Sequence, residues 1–191
     1  MGNTFDFDIE NCLRVLHAGG LILYPTDTVW GIGCDATNEA AVERIYQLKK
    51  RNNHKAMIVL VAEEKDILSH VSQTDLRIFD YIKGVHQPTT VIYEHAIGLA
   101  TNLLEENGSI GIRICRDPFC RQLIKRFRKP LVGTSANISG YPAPTCFQDI
   151  DFLILQGVDY VVNHRRDELT PGRPSSIVKC EKDGSITILR P

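Results

Sequence analysis

Three stretches of this chain carry side chains suited to gripping a small, charged ligand. One is Gly133-Thr134-Ser135-Ala136-Asn137-Ile138-Ser139-Gly140, entered from the apolar pair Leu131-Val132 and left through Tyr141-Pro142-Ala143-Pro144-Thr145. A strand that empties into Gly, Ser, Thr and Asn offers hydroxyls, an amide and free backbone N–H groups together. Such donors bind phosphate oxygens and small polar ligands without a formal charge, although the same composition also builds ordinary polar turns. A second stretch, Pro25-Thr26-Asp27-Thr28, is a hydroxyl-rich loop between two apolar runs. The third is Lys49-Lys50-Arg51-Asn52-Asn53-His54-Lys55, at the end of a predicted helix. A helix dipole favours cations at its C-terminus, but four of them leading into the apolar Met57–Val61 run exceed that need.

Together these groups suit nucleotide chemistry. Lys50, Arg51 and Lys55 can bind a triphosphate, with Ser135, Asn137 and Thr145 as neutral donors. Thr26 and Thr28, with Arg113, can hold a small zwitterion or a carboxylate. Adenylation fits such an assembly, because its catalysis comes from positioning and from cations that offset charge growing on phosphate oxygens. Other chemistries fit less well. Ser135 lacks a G-x-S-x-G setting, since Asn137 stands in the place of the second glycine. No His, Asp or Glu residues have a convincing metal-ligand spacing. Gly31-Ile32-Gly33 imitates a dinucleotide fingerprint, but it lies inside an extended segment, and a Lys/Arg cluster follows where an acidic ribose ligand belongs.

The elements that must position these groups alternate between strand and helix. Ile9, Leu13 and Leu16 repeat at helical spacing and predict a helix over 8–17, ended by Gly19-Gly20. Leu21–Tyr24 reads as a buried strand stopped by Pro25, and Val29–Cys34 as another. Asn38 is the expected N-cap of a helix that buries Val42, Ile45 and Tyr46. Helical structure is expected near 75–82 and strands at 89–93 and 109–114. Arg113 falls inside the latter strand and so needs an internal carboxylate or a ligand. Asp117-Pro118 starts a helix with Phe119, Leu123, Ile124 and Phe127 inward and Arg121, Lys125, Arg126 and Arg128 outward. Such a basic face is usually solvated and otherwise faces RNA. Helix over 150–155, a strand at 160–162 and a hairpin turning at Asp183-Gly184 close the chain. This order predicts one α/β domain, 1–191, with a mixed sheet.

Composition narrows the class. With 191 residues, 43% of them hydrophobic, the chain can bury one core. A net charge of −1 argues against bulk attraction to polyanions, leaving only a local basic cleft. No apolar run approaches the roughly 20 residues that span a bilayer, and the start lacks the pattern of a secretory leader. The six cysteines (12, 34, 115, 120, 146, 180) show no C-x-x-C and mostly have apolar neighbours. Reduced, buried thiols and a cytoplasmic location are therefore expected.

The run Tyr24–Ala36, the Lys49-Lys50-Arg51 cluster, Ser135–Gly140 and Pro174-Ser175-Ser176-Ile177-Val178 closely resemble, in order, the YrdC-like family, which includes the threonylcarbamoyl-adenylate synthases of tRNA modification. The resemblance implies a twisted sheet with flanking helices around a positively charged cavity. It implies a nucleotidyltransferase joining L-threonine, bicarbonate and ATP, with Mg2+ expected alongside ATP. A downstream transferase complex would pass the threonylcarbamoyl group to tRNA. It puts a K-x-R motif on Lys49 and Arg51, so that Lys49, Lys50 and Arg51 are the catalytic candidates. Arg51, Lys55, Ser109, Asn137, Thr145 and Arg190 would face ATP, and Thr28, Arg113, Ser135 and Ser175 would face threonine. The segment Lys83–Pro88 replaces the family's usual aromatic-Pro-Gly-Pro run, Trp30 a tyrosine, Asn52 a proline and Lys179 an acidic residue. These departures leave open a paralogue with another substrate, or a YrdC-like module that binds double-stranded RNA or the ribosome. The chain stops at Pro191, without the extra C-terminal domain of longer members.

Overall fold

Short β-branched and glycine-rich runs pair into one sheet that carries every wall of the site but the loops. A computed structural model of the protein describes residues 5–51, 57–181, 183 and 185–191. The strands are β1 (Ile22–Tyr24), β2 (Gly31–Gly33), β3 (Ile58–Val61), β4 (Thr89–Tyr93), β5 (Ile110–Ile114), β6 (Leu131–Ser135), β7 (Tyr160–Val161), β8 (Ser176–Cys180) and β9 (Ile186–Arg190). Among the described residues the sheet has nine strands in the order β7-β1-β2-β6-β3-β5-β4-β8-β9. β1–β7, β3–β5 and β4–β8 run parallel and the other pairs antiparallel, so the sheet is mixed, as expected.

Register decides which side chains meet. Ile58 pairs with Gly111 and Gly133, and Leu60 with Arg113, so these residues share one face. Val59, Ile112 and Val132 point to the other, where they are 0–1% exposed. On that side helices α1 (Asp6–His17) and α5 (Pro118–Phe127) pack together, and α5 reaches β3. Ile9, Cys12 and Leu16 from α1 meet a core holding Phe119, Leu123 and Phe127 from α5, each large apolar side chain contributing about 1.5–3 kcal/mol by burial.

Helix ends follow their local chemistry. Asn38 caps α2 (Glu39–Leu48) by accepting from Ala41 N at 3.1 Å, and Asp117 caps α5 by accepting from Cys120 N at 2.9 Å. Helix α1 starts two residues earlier than the periodicity suggests, and the chain turns at Gly19, where φ is +74°. The later helix is shifted: α6 spans Phe152–Gly157 because Asp151 accepts from Leu153 N and sets its start. Helix α3 (Glu64–Leu68) escapes a periodicity reading, since five residues bury only Ile67; α4 spans Arg77–Gly84.

The outer face of α5 is partly paired. Lys125 meets Glu63, Arg126 meets Glu10, and neighbouring Lys129 meets Asp35. Part of this face's positive charge is therefore balanced locally. Cys12, Cys34, Cys115 and Cys120 are buried thiols, whereas Cys146 and Cys180 are half-buried; all six are free. No helix among the described residues is long and apolar enough to cross a membrane.

Candidate functional site

The face of the sheet that carries Ile58, Leu60 and Arg113 floors a cavity of about 420 Å3, within the range of small-ligand sites. Glycines make its depth. A Cβ on Gly133 would lie 2.9 Å from the Leu60 side chain, and one on Gly31 3.2 Å from the Thr134 carbonyl. Side chains there would close the hollow. Thr28, Arg51, Arg113, Ser135, Asn137, Ser175 and Arg190 all line it, although they lie far apart in sequence. Three arginines face the space and no carboxylate lines it among the described residues.

One wall is the Pro25–Val29 loop, folded around a hydroxyl. Thr26 Oγ1 donates to Val29 O at 2.8 Å, accepts from Thr28 N at 3.1 Å and lies 2.9 Å from Thr28 Oγ1. Arg113 Nη2 lies 3.2 Å from Thr28 Oγ1 and 3.0 Å from Asp27 Oδ1. This is the internal carboxylate that a strand-borne arginine requires. Arg113 is 3% exposed, yet its Nε has no hydrogen-bond partner. A desolvated guanidinium beside a hydroxyl pair has the chemistry to hold a carboxylate.

The opposite wall is the polar loop after β6. Ser135 Oγ donates to Asn137 Oδ1 at 2.5 Å, and Asn137 Nδ2 donates to Ile138 O at 3.0 Å and Tyr141 O at 2.7 Å. Lys49 holds the loop from behind. Its Nζ donates to Ser135 O, to Asn137 O at 2.7 Å and to Asn137 Oδ1 at 3.5 Å, while its own carbonyl accepts from Ser139 N at 2.8 Å. Burial, and secondarily the Arg51 charge, push this ammonium down to about 7. Lys49 is 1% exposed and does not line the cavity, so its role is to shape the loop. Arg51 does line it, with Nη1 3.4 Å from Thr134 Oγ1, and burial lowers its guanidinium below its ordinary value.

The third wall comes from the C-terminal hairpin. Ser175, 3% exposed, has its Oγ 2.8 Å from Thr90 Oγ1. Arg190 donates to Ser175 O from Nε at 3.1 Å and Nη2 at 2.8 Å, which ties β9 to the site. The strap 170–174 lies across the Thr28 loop so closely that a Cβ on Gly172 would fall 1.9 Å from Thr28 O. Beyond it is a wider groove of about 1030 Å3 that shares Thr26, Thr28, Val29 and Pro174 with the cavity.

Three more candidates stand outside the lining, and a fourth is not among the described residues. Lys50 is exposed, with φ +50°, outside the lining. Lys55 lies outside the described residues. Ser109 is buried just before β5, also outside the lining. Thr145 lines the wider groove, with its hydroxyl donating to Asp149 Oδ2 at 2.5 Å. Sequence reasoning missed Asp27 as the partner of Arg113. It also missed Arg116, which donates from its backbone N to Asp27 Oδ2 at 3.1 Å and from its guanidinium to Ile82 O at 2.7 Å and Val85 O at 2.8 Å. Arg116 thereby joins the altered 83–88 segment to the site. Its place right after β5 was the available signal.

A mixed sheet enclosing a glycine-floored hollow, with arginines and hydroxyls but no lining carboxylate among the described residues, defines an α/β protein whose cavity has the chemistry to hold a small anion. The chain belongs to the Sua5/YciO/YrdC family, described as telomere recombination, whose sequence pattern it matches over residues 14–191. It is 35% identical over 182 residues to the putative threonylcarbamoyl-AMP synthase of Methanocaldococcus jannaschii, covering 94% of this chain and 84% of that one. It is 36% identical over 140 residues to the threonylcarbamoyl-AMP synthase of Saccharophagus degradans, covering 71% of each. The fold is similar to P. abyssi Sua5 complexed with L-threonine (TM-score 0.84, 21% identity, 97% of this chain) and to E. coli YciO (TM-score 0.82, 18% identity, 96% of this chain). The chain spans 54% of the P. abyssi protein and 88% of the E. coli one.

Proposed function

We propose that this protein is an L-threonylcarbamoyladenylate synthase, a nucleotidyltransferase that uses L-threonine, bicarbonate and ATP. One observation carries the reading: two differently equipped walls face each other across one hollow. The threonine carboxylate would lie on Arg113, with Thr28, Ser135 and Ser175 also facing threonine. The triphosphate would lie against Arg51, Asn137 and Arg190, with Lys55, Ser109 and Thr145 as further candidates from the resemblance and Lys50 from the basic cluster itself. The relatives' names and the P. abyssi threonine complex support the same pairing of ligands.

In this reaction the threonine amine adds to bicarbonate-derived carbon dioxide and loses a proton. A carbamate oxygen then attacks the α-phosphorus, forming a P–O bond as pyrophosphate leaves with its electron pair. Arginines around the phosphates offset the charge that grows on them, and the walls hold carbamate and phosphate in line. The lining's donors are guanidinium, hydroxyl and amide groups, so Mg2+ would enter on the triphosphate oxygens rather than on lining carboxylates. The product would be passed to tRNA by a separate transferase. Incubation with ATP, threonine and bicarbonate should release pyrophosphate only when threonine is present. Intact ATP binding without that release would reject the synthase reading.

A further inference from the structure

We propose that Arg165 is a positioning residue for the threonine side of the site; this rests on the reading of Thr28 as a threonine contact. The loop that presents Thr28 is built on Thr26, whose hydroxyl organises its inner side. Its outer side is held by one guanidinium. Arg165 Nη1 donates to Thr26 O at 3.2 Å and to Asp117 Oδ2 at 2.9 Å, and its Nε donates to Glu168 Oε2 at 2.6 Å. A single planar fork thus joins the Thr26 loop, the N-cap of α5 and Glu168, just before the strap that lies on Thr28.

The backbone at this position argues that the side chain matters. Arg165 has φ +68°, a region favouring glycine that larger residues seldom enter. The approach to it is fixed separately: buried Asp8 accepts from Asn163 N at 3.0 Å and His164 N at 2.8 Å. The chain is therefore delivered to a left-handed turn from which the guanidinium reaches the Thr26 carbonyl. Glycine would fit the turn better but would leave the carbonyl and Asp117 without this donor. The arginine's contacts are half-buried and charge-assisted, the kind worth most for geometry.

Because of the φ value, two substitutions separate backbone from side chain. Arg165→Gly relieves the turn and removes the fork, whereas Arg165→Lys keeps a cation and the strained turn. In the threonine-dependent pyrophosphate assay, Arg165→Gly should raise KM for threonine roughly tenfold while kcat and KM for ATP stay within about twofold. Arg165→Lys should recover only part of the loss, since one ammonium cannot span Thr26 O, Asp117 and Glu168. Amide exchange of residues 24–30 in the ligand-free protein should be fastest in Arg165→Gly and intermediate in Arg165→Lys. Unchanged exchange in Arg165→Gly overturns the proposal whatever the kinetics, as does an equal loss in both kinetic constants. Thr28→Val, assayed alongside, tests the threonine reading itself. If it leaves the threonine KM unchanged while Arg165→Gly speeds exchange, the site assignment fails and the positioning contact stands.

Discussion

Lys49 and Arg113 show two ways in which a buried cation serves this cavity. The three oxygens around Lys49 Nζ can only accept, so the loop behind Ser135 and Asn137 is fully held only while Lys49 is an ammonium. Its folded pKa of about 7 lies below the ordinary 10.5. Between those values the unfolded chain keeps the proton that the folded chain has lost, so this group makes folding more favourable as pH rises. The grip on the loop weakens over the same interval. ATP affinity should therefore fall on the alkaline side of about 7, without a matching loss of stability in denaturant melts. In Lys49→Met that limb should be absent and affinity uniformly low. Arg113 is different because Asp27, its side chain 10% exposed, is packed against it. Arg113→Ala should cost about 3 kcal/mol by leaving that carboxylate without its charge partner. Arg113→Lys should keep the fold yet raise the threonine KM tenfold or more, since one ammonium cannot serve Asp27, Thr28 and a ligand carboxylate.

At the scale of elements, what was legible in the sequence is what local chemistry decides. The caps Asn38 and Asp117 announce α2 and α5, and the alternation around Arg113 places it on a strand. The two polar loops stand out by composition. What stayed hidden depends on distant contacts. Arg165 reaches Thr26 across 139 positions, and nothing near either residue encodes that meeting. Lys49 and Lys50 look equivalent in sequence, but the turn after α2 buries one against the polar loop and exposes the other. The glycine of the strap is similarly mute until the Thr28 carbonyl is seen beneath it. Gly172→Ala should lift the strap, because a methyl group cannot share the space 1.9 Å from Thr28 O. Calorimetry should show weaker threonine binding, with ATP binding close to unchanged.

Across the whole molecule, the cavity draws on loops and strands from residue 26 to residue 190, so its formation and global folding are closely linked. Ligands that bind only this assembled state should stabilise it by mass action. At a hundred times Kd the gain is about 2.7 kcal/mol, or roughly 5–10 °C in Tm for a chain of this size. ATP and threonine together should exceed either alone in a thermal-shift experiment. No added stability with either ligand would mean that the hollow does not bind them.

The bond from Arg190 to the Ser175 carbonyl carries one more implication. Strand β9 follows every other wall along the chain, and it brings Arg190 to the cavity while holding the Ser175 carbonyl. A ribosome-bound nascent chain still lacking β9 would thus be inert toward nucleotide, and a protease that nicks the hairpin would silence the protein without unravelling the sheet's centre. The cavity is complete only once β9 has paired.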